Sequence, residues 1–559
     1  MESIMGGHPH EHPPSEPYGI LQTKDYEHFM ILRDTGELLL EFVGAKKANR
    51  CLPGDHVRWK GEQCELELRD AAPWLVGTLE LTSKSTYGMT KRGHLMYLCV
   101  PYDKRYPPFI VGSSEKDRTQ NRIVLMAFES WTGTFPRGSI QQTLGPSGDR
   151  AAEREALIWQ ACPWRYPVYA YQPTVHSTVQ RTPLVGHTFH IDPEGCRDVD
   201  DVVTLEEQTG GAWKVTITIS DVAAFVEDGD PIDIQASLIG QTLYDKDGRV
   251  LRPMLPPAYS EQACSLLPGK VSYGISFQFM WDGHTIHSPR WFSSTLEVHQ
   301  SYTYEAFQAS NSPHVSLLRD IASYLAKKPL EDAHEWIEQL MLFYNTEAGG
   351  MLKAIGQGIL RRHSAPHRER LERYRQYVPS LERLAYSSAE YCLADERDTR
   401  HEGLNTDAYA HASSPIRRYA DLVNQRVLSR WIQGHTENIE RYIVPQAMYD
   451  MNQRGKAIKR FARDMDFLNA IQEDHRIAEE VILMEILPKS DGWVKLKLYV
   501  PSWSRMISTT YRRSTDHTVW SRDETVELPL ECYRTYRIRF ALHPQGRNWK
   551  ERAVIHLME

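Results

Sequence analysis

Four aspartates fall within ten residues, at Asp192, Asp198, Asp200 and Asp201, with apolar, strand-like runs on both sides. A fold that draws those runs into a core must place the carboxylates beside it. Buried like charges are very unfavourable unless something compensates them. The chain is therefore restricted to folds in which this turn faces solvent or a cation. Hard oxygen donors suit Mg²⁺ or Mn²⁺, not zinc. Asp192 follows Phe189 to Ile191 and ends a strand, and Pro193 and Gly195 enforce a turn. Asp198, Asp200 and Asp201 then return to the same side. Asp221, after Ile219 and Ser220, supports the cluster from a second strand. One or two divalent ions held there would serve in-line displacement at phosphorus. The competing readings are an exposed acidic loop and a calcium loop, and the EF-hand pattern does not fit.

At 559 residues the chain exceeds one ordinary core and predicts three or four domains. No apolar run approaches the roughly 18 residues of a membrane span. Residues 1–16, rich in Gly, His and Pro, read as a disordered tail without a secretory pattern. The eight cysteines are scattered and form no C-x-x-C pair. That predicts reduced thiols, no structural zinc, and a cytoplasmic location with the nucleus as the alternative. The net charge of −8 excludes a histone-like polycation but not nucleic acid, because local patches decide that question. From Lys489 onward there are 13 Lys and Arg against 8 Asp and Glu, a locally basic end to an acidic chain.

Residues 17–75 alternate short apolar runs with turns: Phe29 to Leu32, Glu37 to Val43, Val57 to Trp59. Residues 76–165 repeat the style, with Leu95 to Val100 and Ile123 to Phe128. Both read as small barrels, an architecture that serves single-stranded nucleic acid or merely spaces other modules. Residues 166–485 change character. Val202 to Leu205 and Trp213 to Ile219 predict a hairpin around Thr209-Gly210-Gly211. Leu317 to Leu325 and Trp336 to Tyr344 predict helices, as do 408–432, broken near Pro415, and 446–479. Residues 486–559 return to strands at Val494 to Val500 and Arg537 to Phe540.

Ser413-Ser414-Pro415-Ile416-Arg417-Arg418-Tyr419 adds cations to the acids. Pro415 predicts a helix start, with Arg417 and Arg418 in its first turn. Guanidinium groups suit bidentate contact with phosphate and stabilise transition-state charge. The plainer reading is a salt bridge to Asp421.

Together these motifs resemble the ribonuclease II (RNB) family of 3′→5′ exoribonucleases. The spacing D-x5-D-x-D-D matches the family's acidic motif. Thr218 to Val222, Pro253-Met254-Leu255-Pro256 with Cys264-Ser265-Leu266, His401 to Leu404, and the SPIRRY segment follow in the family's order. The similarity spans roughly 180–485. The resemblance implies a multidomain α+β protein: two N-terminal OB or cold-shock barrels (17–75, 76–165), a central α/β catalytic domain (166–485) and a C-terminal RNA-binding OB barrel (486–559). It places the chain nearest the branch of the eukaryotic exosome catalytic subunit, without the PIN domain.

The resemblance also implies roles. Asp192 and Asp201 would bind Mg²⁺ (or Mn²⁺) directly, with Asp198 and Asp200 completing the site and Asp200 critical to the reaction. Arg417 and Arg418 would contact substrate, Arg417 at the scissile phosphate. Tyr244 would pack against the terminal nucleotide and Tyr304 would line the end of the channel. For both tyrosines the plainer reading is a core aromatic. Two positions depart from the family: Ala462 stands where the bacterial branch has a glutamate, and the arginine usual after the CSL block is absent from Gly269 to Ile275. The implied activity is processive hydrolysis of single-stranded RNA to nucleoside 5′-monophosphates by a monomer without membrane attachment. Two rivals stand beside it: an inactive RNA-binding or regulatory protein of the same fold, and a metal-dependent phosphodiesterase acting on DNA or small nucleotides.

Overall fold

The computed structural model describes residues 16–33, 36–69, 74–164, 172–176, 179–377, 379–435, 445–471, 478–515 and 517–558. The predicted tail, apart from Glu16, lies outside them.

Five strands open the chain: β1 (Tyr18–Thr23), β2 (His28–Leu32), β3 (Leu38–Val43), β4 (His56–Lys60) and β5 (Gln63–Leu68). They pair in the order β3-β2-β1-β4-β5. The outermost strands do not pair with each other. The chain after β3 covers the gap instead: the Cys64 N–H donates to the Lys47 carbonyl at 2.8 Å, and Asn49 Nδ2 donates to the Cys64 carbonyl at 2.8 Å. Next come β6 (Leu75–Leu79), β7 (Met96–Pro101), β8 (Phe109–Gly112), β9 (Arg122–Ser130) and β10 (Arg137–Pro146). These close into a barrel in the order β10-β8-β7-β6-β9. Leu21, Phe29, Val57, Leu79, Tyr97, Phe109 and Val124 belong to one buried cluster, so the first sheet and the barrel share a core. Helix α1 (Arg150–Ala161) follows, its first turn capped by Asp149.

The central region contains β11 (Thr182–Pro183), β12 (His187–Ile191), β13 (Asp201–Glu207), β14 (Trp213–Ser220), α2 (Pro231–Ile239), β15 (Leu243–Tyr244), β16 (Val250–Arg252), β17 (Val271–Trp281), β18 (Ile286–Glu297) and β19 (Gln300–Tyr302). A seven-stranded mixed sheet runs β11-β18-β17-β14-β13-β12-β19. Helices α3 (Tyr304–Gln308), α4 (Pro313–Ala326) and α5 (Ala333–Ile355) follow. Sheet residues Phe189, Val203, Ile217 and Phe277 form one buried core with Leu318, Ile321, Trp336 and Leu340 of the helices. The strip β20 (Ile359–Arg362), α6 (Arg368–Tyr377) and β21 (Glu390–Leu393) leads to α7 (Tyr419–Ile432) and α8 (Pro445–Ala470). The architecture is α+β.

The predicted helix over 408–432 begins only at Tyr419. Its first part fails because its backbone amides are captured by side chains: Ala412 by Asn345 Oδ1, Ser414 by Asp421 Oδ1, and Ile416 by Asp200 Oδ1. An amide bonded elsewhere is not available to the carbonyl four residues back. Arg417 and Arg418 therefore precede the helix, and Arg418 is its cap residue with extended backbone. The helix predicted over 446–479 ends at Ala470, and Glu479 already lies in a strand.

The C-terminal segment holds β22 (Glu479–Pro488), β23 (Trp493–Val500), β24 (Arg505–Thr515), β25 (Thr518–Trp520), β26 (Glu527–Pro529), β27 (Thr535–Leu542), the short helix α9 (Trp549–Arg552) and β28 (Ala553–Met558). The sheet order is β26-β25-β24-β23-β22-β27-β28. A side chain spans the distance between β24 and β28: the Tyr511 hydroxyl donates to the Ile555 carbonyl at 2.8 Å and accepts the Leu557 N–H at 2.7 Å. Of the three expected barrels, the second alone is closed by strand pairing among the described residues. No helix among them is long and apolar enough to cross a membrane.

The chain divides into two compact units, one joining the stretch up to Pro163 with that from Arg463 onward, the other spanning Trp164–Ala462. Within the first unit, Arg552 is wholly buried with its Nε 2.6 Å from Glu153 Oε1. The Tyr102 hydroxyl donates to Glu153 Oε2 at 2.7 Å, and Arg552 Nη1 donates to Thr78 Oγ1 at 2.9 Å. This ties the C-terminal segment to the barrel and α1. Glu153→Leu would strand the buried guanidinium and lower stability by about 3–5 kcal/mol, whereas Glu153→Leu with Arg552→Met should recover much of that loss; denaturant unfolding of the full chain checks both.

Candidate active site

The acidic turn joins β12 to β13 in the Trp164–Ala462 unit. Asp192 follows β12, its N–H donating to the Tyr302 carbonyl at 3.1 Å. Asp201 opens β13. Between them the chain is pinned by the CSL block: the Val199 N–H donates to Ser265 Oγ at 3.0 Å, and the Leu266 N–H donates to the Val199 carbonyl at 3.0 Å. The hairpin partner β14 adds the Ser220 N–H, which donates to the Asp200 carbonyl at 2.8 Å.

Asp200 is buried. Its Oδ1 accepts the Ile416 N–H at 2.9 Å and its Oδ2 accepts Arg417 Nε at 3.2 Å. Arg417 Nη2 also donates to Ser414 Oγ at 2.9 Å. The Arg417 backbone continues the network, its carbonyl accepting the Thr242 N–H at 2.9 Å, while the Tyr419 N–H donates to the Gly240 carbonyl. That pairing sets Tyr244 beside the turn, and its hydroxyl donates to Asp198 Oδ2 at 2.5 Å. Asp192 Oδ2 lies 2.9 Å from His190 Nδ1. Tyr304 opens α3, half-buried. Arg418 is turned away onto fully buried Asp421, Nη2 to Oδ1 at 2.8 Å. Asp221 does not join the cluster. Its Oδ2 is held 2.5 Å from Arg181 Nη2, so an arginine takes the carboxylate that the sequence pattern assigned to the acids.

The electrostatics follow from this crowding. Burial pushes the Asp200 carboxyl up to about 7, against the pull of Arg417 and the Ile416 N–H. Burial and the charges of Asp192 and Asp200 hold Asp201 well above the usual carboxylate range. The Tyr244 phenol is raised by burial and by Asp198, and the Tyr304 phenol by burial and by Asp192 and Asp201. Among the described residues no Lys or Arg pairs with Asp192, Asp198 or Asp201, so four carboxylates face one guanidinium. That imbalance and the all-oxygen donor set fit a hard divalent cation. His190 fits as well, since a ring nitrogen fixed on a ligand carboxylate orients that ligand. As placed, no group of three or more His, Cys, Asp or Glu side chains among the described residues is arranged to hold a metal ion.

Sequence reasoning missed His190, although it lies near the end of β12, only two residues before Asp192. It also missed the polar supports of the 408–418 stretch. Asn345 Nδ2 donates to Ser413 Oγ at 3.0 Å, and Asn424 Nδ2 donates to the His411 carbonyl at 2.8 Å. A lone Asn in an amphipathic helix carries no signal of its partner.

A closed small barrel and a mixed sheet bearing a four-carboxylate turn opposite an arginine define a recognisable class. The RNB domain matches residues 184–316 and 310–434, and the Dis3-like cold-shock domain 2 matches residues 96–161. The chain belongs to the RNB-domain family, related to the branch that includes Dis3, ribonuclease II and ribonuclease R. The mouse exosome complex exonuclease RRP44 is 22% identical over 452 residues, covering 64% of this chain and 47% of that protein. Escherichia coli ribonuclease R is 24% identical over 327 residues, covering 44% of this chain and 40% of that protein. The chain thus spans about half or less of the length of these curated relatives. Among solved structures, Mycoplasma genitalium RNase R in complex with ribose-methylated single-stranded RNA has a TM-score of 0.69 at 15% identity, covering 97% of this chain and 100% of that one. Yeast Ssd1, a pseudonuclease, has a TM-score of 0.62 at 16% identity, covering 94% of this chain and 81% of that one.

Asp200 generates a pH prediction. Between the ordinary aspartate range, near 3.9, and about pH 7, the folded protein keeps a proton that the unfolded chain has released. Stability of the metal-free protein should therefore fall as pH rises through that window. Asp200→Asn removes this titration, so its stability should fall less over the same range; denaturant midpoints from about pH 4 to about pH 7 in a chelator test it.

Proposed function

We propose that the protein is a hydrolytic 3′→5′ exoribonuclease that degrades single-stranded RNA processively to nucleoside 5′-monophosphates. The observation that carries this reading is Arg417 anchored on Asp200 inside the four-aspartate turn. Asp192, Asp198, Asp200 and Asp201 would hold Mg²⁺, with Mn²⁺ as a substitute. When bound, the ion would polarise the phosphoryl oxygen and acidify the attacking water. Arg417 remains 43% exposed while tied to Asp200 and Ser414, which leaves guanidinium donors for the phosphate as charge builds on it. Tyr244 keeps Asp198 oriented through its hydroxyl and presents its ring to the terminal nucleotide. Arg418, committed to Asp421, steadies the turn and does not meet substrate directly. The N-terminal sheet, the closed barrel and the C-terminal sheet would guide the strand through phosphate and 2′-hydroxyl contacts. None of the eight cysteines is in a disulfide, which suits a protein working in the cytoplasm or nucleus.

A second reading is a catalytically silent RNA-binding protein. Two observations favour it: the likeness to a protein described as a pseudonuclease, and carboxylates that do not converge as a metal-holding group among the described residues. The two readings separate in one assay. The full chain, given 5′-labelled single-stranded RNA and Mg²⁺, should release mononucleotides, leave matched DNA intact and lose roughly a hundredfold or more of its turnover on Asp200→Asn or Arg417→Ala. RNA binding with no product would establish the silent reading instead.

A further inference from the structure

His334 makes a contact that the proposed chemistry does not use. Its imidazole lies face to face on the Tyr304 ring, with centroids 3.8 Å apart and planes inclined by 13°. One carboxylate oxygen fixes it. Asp332 Oδ1 accepts the His334 N–H at 2.8 Å as the cap of α5 and lies 3.0 Å from His334 Nδ1. Tyr304 is held by its own helix start, where Thr303 Oγ1 accepts the Ala306 N–H at 3.1 Å. Both rings are thus set by helix caps on neighbouring elements. The His334 side chain is 57% exposed although one face is covered, so its other face is open. At the inner end, the Tyr302 carbonyl, two residues before Tyr304, accepts the Asp192 N–H at 3.1 Å, and burial together with the charges of Asp192 and Asp201 raises the Tyr304 phenol. The pair forms a short aromatic step from solvent to the acidic turn.

We propose that the outer face of His334 is a stacking site for an unpaired nucleobase of the RNA strand whose 3′ end reaches the aspartates. The proposal rests on the exoribonuclease reading. Every base has a π face, so a ring fixed in orientation accepts any sequence, as degradation from an end requires. Imidazole serves in this role as the larger aromatics do. His334 covers one face of Tyr304, so a base arriving from that side meets the imidazole first. Tyr304 then acts through His334 as the backing ring.

The test uses the full chain carrying Asp200→Asn to arrest turnover, with a single-stranded RNA that bears 2-aminopurine at one of its last few positions. Fluorescence should be quenched at a particular position. Adding His334→Ala should relieve that quenching and weaken binding roughly tenfold, while His334→Phe retains both. His334→Leu, which restores bulk without a π face, should behave as the alanine variant. In the active chain, His334→Ala should raise KM roughly tenfold and leave kcat within about twofold. Equal quenching, affinity and KM in His334→Ala, or a leucine variant that matches phenylalanine, would overturn the stacking site and reduce the ring pair to packing. Failure of the parent chain to bind RNA would overturn the exoribonuclease reading and this site with it.

Discussion

The Asp200 carboxylate is the joint of the candidate site. Its two oxygens take the Ile416 N–H and the Arg417 guanidinium, linking stretches of chain 216 residues apart. A carboxylate this deeply buried survives because one oxygen is met by an amide dipole and the other by a charge. The same two contacts bring an arginine onto the aspartates, while the turn's own Arg197 is turned outward to Glu261. Without them, Asp192, Asp198 and Asp201 would face one another with no cation of the protein's own among the described residues. The rise of Asp200 to about 7 shows that one guanidinium does not offset the burial.

Arg417 reaches its place because the chain before α7 is not a helix. Asn345 on α5, Asn424 and Asp421 on α7, and Asp200 itself each bond a backbone group of the stretch between His411 and Ile416. A helix there would satisfy its own amides and carry Arg417 round with its turn. The irregular path leaves the guanidinium beside Asp200 and sends Arg418 to Asp421. Four buried polar side chains thus perform a task that no single catalytic-looking residue reveals. The Arg552–Glu153 pair performs a comparable task in the other unit, where it joins a C-terminal helix turn to α1.

Much of the local structure was legible in the residues. Short apolar runs set between turns marked β2, β3, β4, β7, β9 and β23, and the alternation of Trp213, Val215, Ile217 and Ile219 with polar residues marked the β13–β14 hairpin. The acidic turn was legible because Pro193 and Gly195 stop a strand beside Asp192. The errors share a cause. The helix expected over 408–418 was lost to amide capture by distant side chains. Asp221 was lost to Arg181, forty residues away in sequence. Barrel closure was unreadable at both ends of the chain, since it depends on which edge strands meet. Between β24 and β28 the bridge is the Tyr511 side chain and not a strand ladder.

By itself the sequence determined the local elements and the chemical type of the site: oxygen donors in a strand-bounded turn, and an arginine-bearing segment to accompany them. Those follow from short-range sterics, periodicity and the composition of neighbouring residues. Only the tertiary structure decided that Arg181 takes Asp221, that Arg417 and not Arg418 meets Asp200, and that His334 lies on Tyr304. Each of those outcomes is a contest between partners far apart in the chain. Burial settles such a contest, because a polar group removed from water must take whichever partner the fold brings within hydrogen-bonding distance.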